Sequence, residues 1–348
     1  MGEKMIRILT ATNKKALNAG PKAKLDIVKI LKKIYKNDLE EETVNLVDKS
    51  IEGKKNTIID KLCNFFNVFE LIIKNLNYKG FIIIQYPFIK NFFLRLLPKE
   101  NTIIIIHDLT GIRTLNEKIE KEEIKTLNKF KYIIVHNKKM HEYLINKGIK
   151  CKIVELELFD YLCIDDKEKE MNLNDSTIKV AYVGNLNKFK SPFIYQLDDR
   201  INYHLDLYGN GIEKNDINNN NISYCGAYKP DELPNIIESD LGLVWDGNYD
   251  ESDENEGFKN YTKYNNPHKL SCYIAANIPV VVWRKSAVAD FVVEHNIGYC
   301  IENLYDINKI KKSDIRIKRN NMKKISKNVK DGIYIKRAME KIVNVKEN

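Results

Sequence analysis

The segment Tyr264-Asn265-Asn266-Pro267-His268-Lys269-Leu270 carries the pattern of an anion seat. Asparagine is a favoured N-cap residue, and proline suits the first helical position, where its missing N–H would have no partner. The pattern predicts a helix over residues 267–276, ending near Asn277 and passing into a short apolar strand over 279–283. A helix start presents backbone N–H groups and the positive end of its dipole to an anion. Lys269, in the first turn, opposes that dipole unless an anion lies close by. The block therefore reads as a seat for the diphosphate of a nucleotide sugar. The plainer alternative is an ordinary helix–strand unit with a surface lysine.

Other residues stand where they could join this chemistry. Gly184 and Asn185 close an apolar strand and lead to Lys188, giving a close backbone approach, a polar contact and a cation. Gly226-Ala227-Tyr228 ends another strand, and Tyr228 could stack on a nucleobase or simply begin a helix. Asp246, after Trp245, ends the next strand and should line the same site. Earlier in the chain Gly20 precedes Pro21 at a helix start, where it could touch the diphosphate or the sugar. His107 and Asp108 follow an apolar strand, with Arg113 five residues beyond Asp108. Either could serve as the general base for an acceptor hydroxyl, or the pair could brace its loop against Arg113.

Length and composition narrow the class. At 348 residues the chain exceeds the usual single-core limit of roughly 250–300, so two domains are expected. Hydrophobic content of 43% suffices for two cores, and a mean hydropathy of −0.42 argues against an integral membrane protein. No apolar run approaches the ~18 residues needed to span a bilayer. The first residues read as a strand rather than a leader, and Ile6 breaks the myristoylation pattern behind Gly2. Together these lead to a cytoplasmic expectation. The net charge of +9 comes from 57 Lys+Arg against 48 Asp+Glu, spread rather than clustered with aromatics, which disfavours nucleic acid. The six cysteines form no C-x-x-C pair and mostly lie in apolar segments, so buried free thiols are expected. Neither H-E-x-x-H nor D-x-D occurs, so neither a metal site nor another cofactor is expected.

Strand-like and helix-like runs alternate, the α/β pattern of parallel sheets flanked by helices. Strands are expected near 5–11, 43–47, 81–86, 102–107, 132–136 and 152–156. A second set follows at 178–183, 203–208, 221–225, 241–245, 279–283 and 298–301. Helices are expected at 21–35, 57–75, 116–129 and 138–147, with Leu25, Val28, Leu31 and Ile34 facing the first sheet. The domains expected are 1–160, a charged linker 161–176, a second domain 177–317, and C-terminal helices over 318–348 divided near Gly332. The last of these could lean back on the first domain. The acidic loop 250–257 reads as solvated, or as a lid over the site. Two such sheets would face an interdomain cleft at their strands' carboxyl ends.

Taken together, the His107–Arg113 segment, the Gly184-Asn185 loop, Tyr228-Lys229-Pro230-Asp231-Glu232, Leu243-Val244-Trp245 and above all Tyr264–Trp283 resemble one bacterial GT-B glycosyltransferase family. It holds β-1,6-galactofuranosyltransferases and the glucosyltransferases of serine-rich adhesins. The resemblance implies two Rossmann-like doubly wound domains and an inverting, metal-independent transfer of a hexose from a UDP donor. A saccharide or glycopeptide would be the acceptor, in surface glycan or glycoprotein synthesis. It implies that Lys188 and Lys269 hold the diphosphate and that Tyr228 contacts the uridine. Members are often oligomeric, which implies a homo-oligomer, and peripheral membrane association is left open. Lys188 stands where adhesin-type relatives have arginine, and Asn277 where a helix-ending glycine is usual. The His107-Asp108-Leu109 segment is closer to the galactofuranosyl members. Two rivals are a non-catalytic GT-B partner of another transferase and a UDP-sugar epimerase or hydrolase.

Overall fold

The structure, a computed structural model, describes residues 5–12, 19–48, 55–163, 177–217, 219–250 and 257–344. The chain divides into two compact units. One runs as far as Glu157 and takes in the residues from Ile335 onward; the other spans Leu158–Tyr334. The division therefore falls three residues before the expected boundary at 160. Leu158 to Tyr161 already belong to the second unit, where Tyr161 N–H bonds Val329 O and Ser271 Oγ donates to Phe159 O. Most of the expected linker, 164–176, and most of the acidic loop, 251–256, lie outside the described residues.

The first unit is built on β1 (Ile6–Thr12), β2 (Leu39–Asn45), β3 (Phe81–Tyr86), β4 (Thr102–Ile106), β5 (Tyr132–Val135) and β6 (Lys152–Glu155). They pair in parallel in the order β2-β1-β3-β4-β5-β6. The central strands β3, β4 and β5 are buried along their whole length, as expected of parallel strands covered on both faces. β2 begins four residues before the expected 43. Its Glu40-Glu41-Glu42 run hides it from a hydrophobic pattern, but an edge strand tolerates charge, and Glu40 pairs with Arg7 at 2.7 Å. The Ala19–Tyr35 helix packs through Ala23, Ile27, Val28, Ile30 and Leu31, whereas Leu25 is exposed, against expectation. A three-residue spacing turns 300° per step rather than a full 360°, so it drifts off the buried face.

The second unit is built on β7 (Lys179–Asn185), β8 (His204–Asn210), β9 (Ile222–Gly226), β10 (Leu241–Val244), β11 (Val280–Trp283) and β12 (Gly298–Ile301). Again all pairs are parallel, in the order β12-β11-β10-β7-β8-β9. The chain winds outward from β7 through β8 to β9, then returns to β10 on the other side. The switch point lies between β7 and β10, where open α/β sheets bind ligands at their carboxyl edge. Two helices close the chain, Lys312–Asp331 and Ile333–Val343, divided by Gly332 at φ 77°. The first begins six residues earlier than expected.

All six cysteines are free, but only Cys272 is buried; Cys63 is exposed and the others are half-buried, so burial of the thiols is not general. No described helix is long and apolar enough to cross a membrane.

Candidate functional site

Lys269 sits at the switch point of the second unit. Its Nζ donates to Asp246 Oδ1 at 2.9 Å, to Trp245 O at 2.9 Å and to Tyr182 Oη at 3.1 Å, so each of its three protons has an acceptor. Its charge also lies 4.3 Å from the Tyr182 ring centroid. Tyr182 projects from β7, 2.6 Å from Ser191 Oγ, and Ser191 in turn donates to Asn185 O at the end of the same strand. Below the ammonium runs the bare backbone of Gly184. A side chain there would start 3.8 Å from Lys269 Nζ, on a residue whose φ of 154° already favours glycine. Gly209, its register partner on β8, is required more strictly, because a Cβ there would lie 1.8 Å from Gly184 O. Among the described residues no three His, Cys, Asp or Glu side chains gather as a metal site, so this group is one of lysine, tyrosine and carboxylate.

Asp246 is the anionic member. Burial pushes its carboxyl up, but Lys269 and then Lys190 outweigh that and hold it below the ordinary aspartate range. Lys190 is thus a second positive charge felt by Asp246. Gly247 N–H bonds Lys190 O at 3.1 Å, and Asn187 Oδ1 accepts from Lys190 N–H at 2.9 Å, which folds the β7 loop onto the Asp246 turn. Lys188 points to carboxylates instead, Asp216 and, at 3.4 Å, Glu213. Both lysines follow the same strand, and only the turn at Asn187 distinguishes them.

Asn266 is buried, and it is Pro267 rather than Asn266 that stands at the N-cap of the helix. Pro267, with an extended ψ of 132°, takes the N-cap position, and the helix is His268–Ala275. Proline offers no side-chain acceptor, so the first turn is left uncapped by it. The far end matches expectation closely. Asn277 is left-handed at φ 55°, Ile278 N–H bonds Tyr273 O at 2.9 Å and Asn277 N–H bonds Ile274 O at 3.0 Å, a Schellman ending. Asn185 caps its own loop through Asn187 N–H. Tyr228 stands apart at the end of edge strand β9, its ring half exposed and its hydroxyl donating to Cys225 O at 2.9 Å. Gly20 lies within the first turn of the Ala19–Tyr35 helix rather than in the loop before it.

Lys259 escaped the sequence reading. It is 1% exposed, with its ammonium 4.5 Å from the Trp245 ring and 5.2 Å from the Trp283 ring. It donates to the Asp250 and Asn248 carbonyls, while Trp245 Nε1 donates to Asn248 O at 2.7 Å. These bonds clamp the turn that carries Asp246. The recess beside it is lined by Trp245, Asp246, Lys259, Thr262, Pro267, Trp283 and Ser286.

In the first unit, His107 and Asp108 follow β4. His107 Nε2 lies 2.9 Å from Gln85 Oε1, and Gln85 Nε2 donates to Lys24 O, so His107 Nε2 carries the proton of that bond. Asp108 Oδ2 accepts from Arg113 Nε at 2.9 Å, while its Oδ1 is buried with no hydrogen-bond partner among the described residues. Burial lowers the Lys24 ammonium to about 8, and Asp108 pulls it partly back. Glu123 fixes the segment by accepting from the Thr110 and Gly111 N–H groups, both at 2.9 Å. At Asp108 one carboxylate oxygen is tied to Arg113 and the other is not.

Residues 6–158 match the family described as glucosyltransferase 3-like, N-terminal domain, and residues 180–342 match its C-terminal domain. The chain belongs to the glucosyltransferase 3-like family. It is 30% identical to the β-1,6-galactofuranosyltransferase WbbI of Escherichia coli (strain K12) over 279 residues, 76% of this chain and 80% of that one. It is 25% identical to glucosyltransferase 3 of Streptococcus gordonii over 211 residues, 60% of this chain and 59% of that one. Among solved structures, HepE of Anabaena in complex with UDP and glucose gives a TM-score of 0.60 at 13% identity, covering 97% of this chain and 99% of that one. Sucrose-phosphate synthase of Thermosynechococcus elongatus gives 0.62 at 10% identity, with the same coverage. The fold is GT-B. As a member of the glucosyltransferase 3-like family the chain is a sugar-transferring enzyme.

Proposed function

We propose that this glucosyltransferase 3-like protein moves a hexose from a UDP donor to a saccharide or glycopeptide acceptor in the cytoplasm, with galactofuranose the foremost donor sugar and glucose next. The observation that carries the reading is the Lys269 ammonium, held at the switch point directly above the Gly184 backbone. A diphosphate laid on that backbone would take up protons that Asp246 and Tyr182 now accept, and Lys190 would add a second positive charge. The acceptor oxygen attacks the anomeric carbon from the face opposite UDP, the bond from that carbon to the phosphate oxygen breaks, and UDP leaves with the electron pair. Configuration is inverted. Asp108 takes the acceptor's proton through its untied Oδ1; His107, whose Nε2 is committed to Gln85, orients the segment. The growing charge on UDP is balanced by lysines and the helix start without a metal or other cofactor, a preorganised electrostatic role.

Calorimetric titration with UDP, followed by product analysis with UDP-galactofuranose, UDP-glucose and UDP-galactose, tests this. Transfer that requires an added saccharide supports it. A free hexose or an epimer formed without acceptor would replace it with a hydrolase or epimerase. One observation favours a second reading, a non-catalytic partner of another transferase: Lys188 and Lys269 are both engaged by carboxylates. Absence of UDP binding would decide for that partner.

A further inference from the structure

Lys269 and Tyr228 stand apart along one sheet edge. Lys269 lies over the end of β7, and Tyr228 follows β9, two strands away in the order β7-β8-β9. Two strand spacings amount to ~10 Å, a gap that one ribose bridges. The Tyr228 ring is 40% exposed and lies 6.3 Å from the Tyr208 ring, so aromatic surface is open to a base there. A ligand that joins a base to a diphosphate through a ribose touches both places at once. It is held well only where the two are kept at one distance beforehand.

Strand pairing fixes β7, β8 and β9 against one another, but the loop after β9 and the start of the His268–Ala275 helix lie beyond those ladders. The segment Phe159–Tyr161 joins them. Tyr161 is 2% exposed, and its hydroxyl donates to Pro230 O at 2.6 Å, two residues past Tyr228. Its ring stacks on His268, one residue before Lys269, at 4.9 Å with 29° between the planes. Phe159 meets His268 edge-on at 6.1 Å, and its carbonyl accepts from Ser271 Oγ at 2.6 Å, one turn further along the same helix. The segment is itself anchored from behind. Tyr161 N–H bonds Val329 O at 3.1 Å, and Asp160 Oδ1 accepts from Tyr334 N–H at 3.1 Å. All of these residues belong to the second unit. A buried tyrosine hydroxyl needs an acceptor of some kind. Here the acceptor is the backbone of the loop that carries Tyr228, while the ring rests on the neighbour of Lys269.

We propose that Tyr161 is a positioning residue: it sets the distance between the Tyr228 loop and the Lys269 helix, so that the base and the diphosphate of one donor are gripped together. The proposal rests on the UDP-donor reading. Tyr161→Phe keeps the ring on His268 and removes the bond to Pro230. Calorimetry on the full chain should show UDP binding about tenfold weaker in this variant, the scale of one lost hydrogen bond to a buried group. Uridine alone and pyrophosphate alone should bind as they do to the wild type, because each end keeps its own contacts. In transfer assays the KM for the UDP-hexose should rise by a similar factor with kcat little changed. A protein that is merely less well folded would instead lose kcat at unchanged KM. Unchanged UDP affinity in Tyr161→Phe, a loss confined to kcat, or either fragment losing as much affinity as UDP overturns the positioning role and leaves the donor reading standing. A wild-type chain that binds no UDP overturns both.

Discussion

The carboxyl edges of the two sheets are built on opposite terms. In the second unit Lys269 has all three protons placed, Asp246 is held ionised beside it with its side chain 11% exposed, and glycine backbone forms the floor. In the first, Asp108 and His107 are half-buried, and Asp108 keeps one oxygen without a partner. A group that must hold charge in a fixed place is best saturated beforehand. A group that must accept a proton needs a lone pair to spare. The contrast agrees with the proposed division, donor binding at one edge and proton transfer at the other.

The sharpest way to break that assignment is Lys269→Ala. It should lower hexose transfer about 100- to 1,000-fold, the scale for losing one preorganised charge contact, while the melting transition persists. Unimpaired transfer from UDP-hexose in a discontinuous product assay would end the binding role. Asp108→Asn should follow at about 100-fold, within the range for a general base, but in kcat, with UDP affinity measured by calorimetry unchanged. A loss confined to KM would return Asp108 to a bracing role with Arg113. Next in size is a difference in acid stability. Burial lowers the His136 imidazole to about 4, so below 6.5 the unfolded chain takes up a proton that the folded first unit refuses. Stability should fall as pH drops from 6.5 to 4, by about 3 kcal/mol in all. Hydrogen exchange across that range should show β5 of the first unit opening early, and His136→Leu should flatten the dependence. Smallest, and most discriminating between neighbours, Lys190→Ala should weaken UDP binding about tenfold, one ordinary charged contact. Lys188→Ala should change it by less than about twofold, as for an exposed ion pair. The reverse order in a calorimetric titration would restore Lys188.

Much of this was legible in the chain. Continuous apolar runs such as Phe81–Tyr86 locate buried parallel strands without ambiguity, and Asn277 announces a left-handed helix stop. Gly184 and Asp246 stand at or just past the ends of their strands and Lys269 opens its helix, so their convergence follows from strand order. What was hidden depends on turns and on tolerance. β2 reads as a charged run because an edge strand can carry one. Lys190 is separated from Lys188 only by the Asn187 turn, and no periodicity reports a turn's direction. Tyr182 sits among core residues of β7 and looks like one of them; its hydroxyl matters only once Lys269 lies above it. Lys259 lies among aromatics, where a lysine reads as surface until two indole rings enclose it.

The Asn277 stop has one more consequence. It fixes the far end of an eight-residue helix whose near end carries Lys269, and β11 follows almost at once. The azimuth of the ammonium is therefore a matter of counting back from the strand. One residue inserted between Lys269 and Asn277 would swing it by about 100°, far from Asp246, with every side chain still present. In this half of the molecule, spacing is as much a part of the chemistry as identity.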